Sequence, residues 1–503
     1  MDKKNLDAIL SALKSAGIKT ASALRELLSE SETISNDSAE TLSARGRIKA
    51  LFDEGTFMES GTYVRRRNGE FDAEADDSFE GVICGWGSVN GRLTYVFSQD
   101  YSRTKGALSE AQAAKIAEIY RLAVENGAPV IGIFDSAGAL LPEGVRALAG
   151  YGKIMSCVSK ASGIIPQIAV IPGVCAGSAA VIAGMFDFII ISDDKGNVSF
   201  NAPFAIGEKD AGSGDFAAAS GLAALTAASD GDCIAKAKLL LSYLPMNNAE
   251  GTVCEASGDS AERVSDISAY AQSKDCAAII SALADNGAYL ELYAKYAPEM
   301  SVGFISIAGT VAGIVANRKC ENGGIVTAKA ARKASRMITF CDSFNIPVIT
   351  VLDSQGPDVS AKAEAEAYAA ELSRLAFAYA NAKTPMITLI AGEAYGSIYS
   401  LMGSKALGAD VVFALETSKV GVMSAERAVA FLWNDQITEN VSRESLEKKW
   451  DETLGSPVAA ACAGDIDDII DAGESRARIA GALMMLSAKN KCAPARRHTN
   501  MPL

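Results

Sequence analysis

Two glycine turns are the segments of the sequence best suited to chemistry. They read VCAGSAA at 174–180 and EAYGSIY at 393–399, and each lies between an aliphatic strand pattern and a run of small residues. Glycine lets the backbone approach a ligand closely, and a helix that begins there presents unpaired amides with a positive dipole. Two such amides could stabilise an enolate as an oxyanion hole without an acidic side chain. Gly177 and Gly396 could equally serve only to pack a strand tightly against a helix, and the sequence leaves both interpretations open.

Carboxylates beside glycine follow two other strand patterns. The segments are DSAGALLPEG at 135–144 and DSQGPDVS at 353–360. Asp135, Glu143 or Asp353 could act as a general base. An aspartate that ends a strand more commonly caps the turn or helix after it, by accepting hydrogen bonds from backbone amides. We favour the capping interpretation.

The residue types that are scarce in the sequence count against several kinds of chemistry. There is one histidine, His498, so neither serine–histidine catalysis nor a histidine metal site is expected, and we expect no metal. No GxxxxGKS or GxxxxGKT loop for nucleotide phosphates occurs. The formal net charge of −14 argues against nucleic-acid binding. Ten irregularly spaced cysteines without a CxxC pair indicate reduced thiols, and the polar start shows no secretory signal, so we expect a cytoplasmic protein.

The sequence contains two similar halves in tandem. PVIGIFDSAG at 129–138 corresponds to PVITVLDSQG at 347–356, and seven of the ten positions are identical or both aliphatic. Three further pairs occur in the same order: ALFDEGTFME with ALADNGAYLE, GRLTYVFSQD with GTVAGIVANR, and PQIAVIPGVCAGSAAV with PMITLIAGEAYGSIYS, at offsets of 232, 218 and 219 residues. Such regularity indicates two copies of one fold. We place the first domain at 1–250 and the second at 265–503, with a polar linker between them.

Short aliphatic strands alternate with helices in each half. The first half contains the strands LTYVF, VIGIF, IAVI and FIII, and the second contains VITVL and MITLI, separated by helices such as SEAQAAKIAEIYRLAVENG and AEAEAYAAELSRLAFAYANA. This alternation predicts an α/β fold in which a buried parallel sheet is covered by helices. Ligands bind such folds at the carboxyl ends of the strands. The nearly uncharged stretch 163–191 is interpreted as strand, turn, short helix and strand, since prolines and glycines interrupt it too often for a membrane helix.

Taken together, these segments resemble the carboxyltransferase (beta) subunits of biotin-dependent acyl-CoA carboxylases and decarboxylases, the family of propionyl-CoA carboxylase beta and methylmalonyl-CoA decarboxylase alpha. The similarity covers about residues 40 to 503 and includes ARGRIKALFDEGTFME, GAPVIGIFDSAGA, ASGIIPQIAVIPGVCAG and KASRMITFCDSFNIPVITVLD. The terminal RRHTNMPL matches a family tail, which explains His498 without a catalytic role.

The resemblance implies a crotonase-like fold in each half. In the family, the first half binds the acyl-CoA and the second half binds biotin, and the site forms where the first half of one subunit meets the second half of another in a hexamer, a trimer of dimers. The carboxyl group passes between carboxybiotin on a separate carrier protein and the acyl thioester. Two backbone oxyanion holes and correct positioning suffice, so no protein acid or base is obligatory.

Carried over to this sequence, the thioester oxyanion hole would be the amides of Gly177 and Ser178, and the biotin hole the amides of Ser397 and Ile398. Ser400 would meet the acyl chain. The other residues expected to bind substrate flank these turns or precede them: Ala137, Gly138, Ala139, Ala176, Gly396 and Tyr399. Basic side chains near the relevant loops that could reach CoA phosphates are Arg103, Lys105 and Lys153, although such surface residues are usually only solvated.

The sequence departs from the family pattern at the mouth of the site. Ser178 replaces the second glycine of an Ala-Gly-Gly-Ala turn, and Ser397 and Ile398 replace Gly-Ala in the second half. Ile398 is bulky and is expected to narrow the approach of biotin. Leu140 replaces an arginine. Changes in loops around an unchanged scaffold indicate a shift of substrate or activity.

The leading hypothesis is a carboxyltransferase acting on a short acyl-CoA, such as propionyl-CoA/methylmalonyl-CoA or acetyl-CoA/malonyl-CoA. The sequence shows no biotinylation motif and no ATP-grasp glycine loop. Separate partners would therefore be needed, namely a biotin carboxyl carrier protein and either a biotin carboxylase or a membrane decarboxylase subunit. Two alternatives stay open: a non-catalytic scaffold subunit, and a crotonase-type hydratase or isomerase with Glu143 or Asp135 as base.

Overall fold

The computed structural model describes residues 42–65 and 80–489. His498 and the terminal family tail, like the polar start of the chain, lie outside these ranges. Within the described ranges, each half of the sequence forms one large sheet, and helices cover both sheets. The expected α/β architecture with sheets covered by helices is confirmed.

The first sheet is parallel in its centre and antiparallel at one edge. Its order is β1-β2-β3-β4-β5-β7-β9, with antiparallel pairing as far as β3 and parallel pairing beyond. Two further short strands, β6 and β8, form a separate parallel pair. The strands are β1 (Met58–Ser60), β2 (Val82–Val89), β3 (Arg92–Gln99), β4 (Val130–Ile133), β5 (Gln167–Ile171), β6 (Val174–Ala176), β7 (Phe188–Ser192), β8 (Asn197–Ser199) and β9 (Leu225–Ala227).

The second sheet repeats this topology. Its order is β10-β11-β12-β13-β14-β15-β17, and β16 pairs with the far end of β14. The single strand β14 therefore makes the pairings that two strands make in the first half, where β5 lies in the large sheet and β6 pairs with β8. The strands are β10 (Tyr289–Leu292), β11 (Met300–Ile307), β12 (Thr310–Asn317), β13 (Val348–Ser354), β14 (Met386–Tyr395), β15 (Val411–Leu415), β16 (Lys419–Gly421) and β17 (Asp468–Ile470).

The helices lie between the strands in both halves. Those of the first half are α1 (Ala44–Leu51), α2 (Glu110–Asn126), α3 (Val145–Ala161), α4 (Ser178–Gly184), α5 (Pro203–Ile206), α6 (Gly214–Ala219) and α7 (Asp230–Ser242). Those of the second half are α8 (Ser268–Ser273), α9 (Cys276–Leu283), α10 (Ala328–Ser343), α11 (Ala361–Ala365), α12 (Tyr368–Asn381), α13 (Gly396–Leu401), α14 (Ala425–Leu432), α15 (Arg443–Thr453), α16 (Pro457–Cys462) and α17 (Ser475–Leu486).

Local sequence explains where the principal helices begin. Ser109 caps α2 by accepting a hydrogen bond from the Gln112 amide, and Thr327 caps α10 in the same way from Ala330. The two caps are separated by the 218 residues that separate the repeats. The predicted helix at 363–382 is broken into α11 and α12, because Ala367 has a φ of 57°. The Tyr368 hydroxyl fixes this break by donating to the Val326 carbonyl.

The antiparallel edges of the sheets were not predicted. β2 and β3 form a tight hairpin through Asn90 and Gly91, with φ values of 51° and 77°. β11 and β12 form the corresponding hairpin through Ala308 and Gly309. An Asn-Gly pair between aliphatic runs is a strong hairpin signal, so the first of these turns could have been recognised from the sequence.

The stretch at 163–191 has the structure expected for it, with β5, β6, α4 and the start of β7 following one another. Within residues 42–65 and 80–489, no helix is both long enough and apolar enough to cross a membrane.

The two halves share a hydrophobic core. The ring of Phe188 lies 4.6 Å from that of Phe340 and 6.1 Å from that of Phe304, measured between ring centroids. Phe304 also contacts Tyr243 at 6.1 Å and is fully buried. The Tyr293 amide adds a backbone hydrogen bond to the Ala224 carbonyl at 2.8 Å. These contacts join the sheets through aromatic packing, while the domain boundaries at 250 and 265 stay a prediction.

Replacing Phe304 with alanine should destabilise the protein by about 3–5 kcal/mol, because a buried ring is lost and the cavity refills only partly. Urea unfolding followed by circular dichroism measures the change. Phe216→Ala is the matched control, since Phe216 is 53% exposed and its loss should cost less than about 1 kcal/mol. Equal unfolding midpoints for the two variants would contradict this account of the core.

Candidate active site

The first glycine turn lies at the carboxyl edge of the first sheet, beside the loop that follows β4. The Ser136 amide donates to the Val174 carbonyl at 2.5 Å, and the Ala176 amide donates to the Ser136 carbonyl at 3.1 Å. These bonds bring together the six residues expected around the thioester, which are Ala137, Gly138, Ala139, Ala176, Gly177 and Ser178. Gly177 has a φ of 63°, and a side-chain carbon added there would meet no atom within 4 Å.

The amides around this turn differ in what they can still bind. The Gly177 amide already donates to the Ser199 carbonyl at 2.9 Å, so only Ser178 of the expected pair offers an amide free of that bond. Ser178 is the first residue of α4, and its amide has no acceptor within the helix. Ala139 supplies a second candidate donor. The Leu108 amide donates to the Gly138 carbonyl, and the Leu108 carbonyl accepts from the Leu140 amide. The amide of the intervening Ala139 is left without an acceptor in the described chain.

Lys105 contacts the loop that follows β4, beside the glycine turn. Its carbonyl accepts a hydrogen bond from the Ala137 amide at 3.0 Å, and its side chain is exposed. Arg103 lies in the same segment, where its guanidinium is 3.6 Å from the Asp100 carboxylate. Lys153 is exposed on α3. Any contact of these three residues with CoA phosphates stays a prediction.

The second glycine turn lies at the corresponding edge of the second sheet. β14 ends at Tyr395, Gly396 has a φ of 62°, and α13 begins there. Ser397 and Ser400 are exposed, whereas Ile398 is fully buried in the core. The bulk of Ile398 therefore packs away from the edge where it was expected to obstruct biotin.

Tyr399 packs partly buried against the same core, and burial raises the pKa of its hydroxyl to about 12. The five expected residues of the second turn, from Gly396 to Ser400, are thus consecutive on one short helix.

The two halves differ at one backbone position of these sites. Val326 pairs with Pro357 as Leu108 pairs with Ala139 in the first half. Proline has no amide hydrogen, so Pro357 has no counterpart to the unbonded Ala139 amide. An anion at the second turn would therefore depend on the amides at the start of α13.

Asp135 is a buried structural carboxylate. It accepts a hydrogen bond from the Val174 amide at 3.2 Å and from Arg47 at 2.8 Å, and Arg47 also bonds Asp230 at 3.0 Å. Burial raises the pKa of Asp135, while Arg47 lowers it. There is no room for a side chain at Gly173, because a side-chain carbon there would lie 2.3 Å from an Asp135 carboxylate oxygen. Asp135 thus holds Val174, the first residue of β6 and of the glycine turn, and does not cap the loop that follows Asp135 itself.

Asp353 has the same position in the second half. It accepts from the Glu393 amide at 2.8 Å and from the Lys319 ammonium at 3.0 Å, and the Tyr270 hydroxyl donates to its other oxygen. A side-chain carbon on Gly392 would lie 2.3 Å from the Asp353 carboxyl carbon. Both aspartates therefore accept backbone amides, but the prediction that each caps the turn directly after it is wrong, because the bonded amides are those of Val174 and Glu393, about 40 residues further along the chain.

Glu143 caps a helix from another element. Its Oε2 accepts a hydrogen bond from the Glu110 amide at the start of α2, at 2.6 Å. Its Oε1 is buried and has no partner in the described chain. Oε2 is therefore engaged in capping α2, and only Oε1 of this carboxylate could accept a proton from a substrate.

Sequence reasoning missed the residues that surround the two aspartates. Arg47, Asp230, Tyr270 and Lys319 come from elements far apart in the sequence, and nothing in their local pattern indicates these contacts. In the described ranges, no group of three or more histidine, cysteine, aspartate or glutamate side chains could hold a metal ion.

Comparison with known proteins identifies the family to which the chain belongs. The carboxyl transferase domain matches residues 36–501. The chain is 37% identical to the propionyl-CoA carboxylase beta chain of Saccharopolyspora erythraea, over 92% of this chain and 90% of that protein. It is 35% identical to the methylmalonyl-CoA decarboxylase subunit alpha of Veillonella parvula, over 92% and 93%.

The solved structures include a close neighbour. The crystal structure of transcarboxylase 12S, described as a hexamer assembly with methylmalonyl-coenzyme A and methylmalonic acid bound, superposes with a TM-score of 0.88. The match covers 92% of this chain and 93% of that one, at 32% identity. The expected fold of two crotonase-like halves and the expected family are both confirmed.

Replacing Asp135 with asparagine should lower the free energy of unfolding by about 3 kcal/mol, because Arg47 then loses one of its two buried counter-charges. Urea unfolding near neutral pH measures the loss. Asp194→Asn is the control, since the side chain of Asp194 is 61% exposed and should contribute less than about 0.5 kcal/mol. An Asp135→Asn protein of unchanged stability that is inactive would indicate a general base instead.

Proposed function

Because the chain belongs to the carboxyl transferase family and is an acyl-CoA carboxyltransferase of the propionyl-CoA and methylmalonyl-CoA type, we propose that it exchanges a carboxyl group between carboxybiotin on a separate carrier protein and a short-chain acyl-CoA in the cytoplasm. The observation that carries the proposal is the duplicated glycine turn. Each copy lies at the carboxyl edge of its own sheet and is held by a buried aspartate, so the chain offers two similar sites for developing negative charge.

The first turn is the proposed thioester site. The amides of Ser178 and Ala139 would donate to the thioester oxygen as negative charge develops on it. Because the Gly177 amide is bonded to Ser199, the hole is assigned to the helix start and the adjoining loop, instead of to Gly177 and Ser178. The open space beside Gly177 would let the thioester approach the backbone. Ala137, Gly138 and Ala176 would form the walls around it.

The second turn is the proposed biotin site. The amides of Ser397 and Ile398 would donate to the ureido oxygen, and the φ of 62° at Gly396 turns them toward the edge of the sheet. The buried side chain of Ile398 leaves this approach open, so the residues fit the group. When bound, biotin would supply the carboxyl group and the proton acceptor. Tyr399 and Ser400 would border this site, with Ser400 facing the acyl chain.

The proposed partners follow from the assignment of the first turn to the thioester and the second turn to biotin. A biotin carboxyl carrier protein would deliver biotin, and a biotin carboxylase or a membrane decarboxylase subunit would complete the reaction cycle. We also propose a homo-hexamer arranged as a trimer of dimers, in which the first turn of one subunit meets the second turn of another. Light scattering should then give six times the 52.3 kDa chain mass.

The proposed function is tested with free biotin. The purified chain is incubated with biotin and either methylmalonyl-CoA or malonyl-CoA, and the appearance of propionyl-CoA or acetyl-CoA is followed. Turnover that requires biotin supports both sites and ranks the substrates. Binding of CoA esters without any turnover would favour the scaffold alternative.

A hydratase or isomerase is the second candidate, and the unpartnered Oε1 of Glu143 favours it. Hydration of crotonyl-CoA that disappears in Glu143→Gln would support this candidate and contradict the carboxyltransferase proposal.

The two oxyanion holes can be tested by removing single amides. Proline is well tolerated at the first residue of a helix and has no amide hydrogen, so Ser178→Pro should leave α4 folded and remove one donor. The biotin-dependent rate should fall about 10²–10³-fold, as expected for one lost oxyanion donor. Ser178→Ala retains the amide and should keep the rate within a few-fold of the parent protein.

The same pair of changes at Ser397 tests the biotin side. Ser397→Pro should reduce the rate by a similar factor, and Ser397→Ala should not. Circular dichroism checks that each variant is folded. A proline variant that is folded and fully active would remove that amide from the mechanism.

A further inference from the structure

An acidic pocket opens beside the second glycine turn. Its volume is about 450 Å³, within the usual range for ligand sites. Glu393 and Tyr395 from the end of β14 line one wall, directly before Gly396, and Lys419 from β16 lies next to them. The opposite walls come from the start of α14 and one face of α15, which contribute Ser424, Ala425, Glu426, Glu444, Glu447, Lys448, Asp451 and Glu452.

The carboxylates of this acidic pocket outnumber its cations. Three acidic residues are paired: Glu393 with Lys319 at 2.8 Å, Asp451 with Lys419 at 2.6 Å, and Glu452 with Lys448 at 3.7 Å. The other three, Glu426, Glu444 and Glu447, form no ion pair within the described residues. The acidic pocket therefore carries uncompensated negative charge, although it lies next to a turn proposed to stabilise an anion.

Tyr395 gives the acidic pocket a second feature of a binding site. Its side chain is 7% exposed and lines the pocket, and its hydroxyl has no hydrogen-bond partner in the described part of the chain. Burial and the charges of Glu393 and Asp451 raise the pKa of this hydroxyl, so it stays neutral. A neutral phenol can accept a hydrogen bond from an ammonium or guanidinium group, and its ring attracts a cation.

From the unpaired glutamates and the free phenol, we infer that the acidic pocket binds a lysine or arginine side chain of the biotin carrier protein, close to its biotinylated lysine. This inference rests on the proposed function, since it concerns the partner that delivers biotin to the second turn. Docking a cation here would place the carrier at the mouth of the site before biotin reaches the amides of Ser397 and Ile398. Free biotin lacks such a cation and would bypass the contact.

Two biotinyl-lysine peptides that differ only in their flanking residues test the inference. One carries lysines on both sides of the biotinyl-lysine and the other carries glutamates. At low salt the chain should use the lysine-flanked peptide with a KM about fivefold lower, as expected for one exposed charge pair. The difference should shrink as the salt concentration rises to about 0.5 M, because the charges become screened.

Variants assign the effect to the acidic pocket. Glu447→Lys should abolish or reverse the preference for the lysine-flanked peptide and leave the rate with free biotin unchanged. Glu439→Lys is the matched control, because it makes the same change of charge on an exposed residue outside the pocket and should keep the preference. Tyr395→Phe should weaken the preference about two- to threefold.

The outcomes separate this inference from the proposed function. Equal KM values for the two peptides, or a preference that survives Glu447→Lys, would overturn the inference while turnover of free biotin still supports the carboxyltransferase. Absence of all turnover would overturn the function, and fluorescence anisotropy of the labelled peptides would then decide the inference from the ratio of their dissociation constants. Dissociation of the assembly by Glu447→Lys, but not by Glu439→Lys, would assign the pocket to a second copy of this chain and overturn the carrier assignment.

Discussion

Two buried carboxylates anchor the strands on which everything else at the site depends. Asp135 and Asp353 occupy equivalent places in the two halves, and each accepts the backbone amide of the residue three positions before the glycine of a turn. Buried carboxylates are costly unless they are bonded to donors and counter-charges, so each has to be surrounded completely. The close approach of Gly173 and Gly392 shows how little space is left around them. The positions of the turns, and hence of their free amides, follow from these contacts.

The two halves share one backbone topology but differ in the residues that surround their glycine turns. The first turn has an adjoining loop with a free amide at Ala139, and the second has Pro357 at the paired position. The first aspartate is bonded to an arginine shared with another carboxylate, and the second is bonded to a lysine and to a tyrosine hydroxyl. The duplicated fold therefore presents two glycine turns with different backbone donors, so the two sites proposed for negative charge are not interchangeable. This difference suits a reaction in which the two sites receive chemically different groups.

Much of this arrangement follows from sequence patterns that are local or periodic. The repeat, the buried strands, the caps at Ser109 and Thr327 and the two glycine turns are all encoded over short distances, and the structure contains them. Ile398 shows where such reasoning fails, because a residue type alone does not reveal which way a side chain points on a six-residue helix. The contact of Asp135 with Arg47 could not be predicted, since Arg47, Asp135 and Asp230 are distant in sequence and meet only in the folded protein. The acidic pocket likewise combines β14, β16, α14 and α15, none of which indicates a site by itself.

The arginine of α1 has a consequence for how the chain folds during synthesis. Arg47 contacts Asp135, 88 residues later, and Asp230, 183 residues later. The ionic cluster beneath the first turn is therefore incomplete until residue 230 has emerged from the ribosome, and closing so long a loop is entropically expensive and slow. Lys319 lies only 34 residues before Asp353, so the charge pair of the second turn can form almost as soon as both strands exist. The first half is synthesised before the second, but its ion pairs around Asp135 take longer to complete.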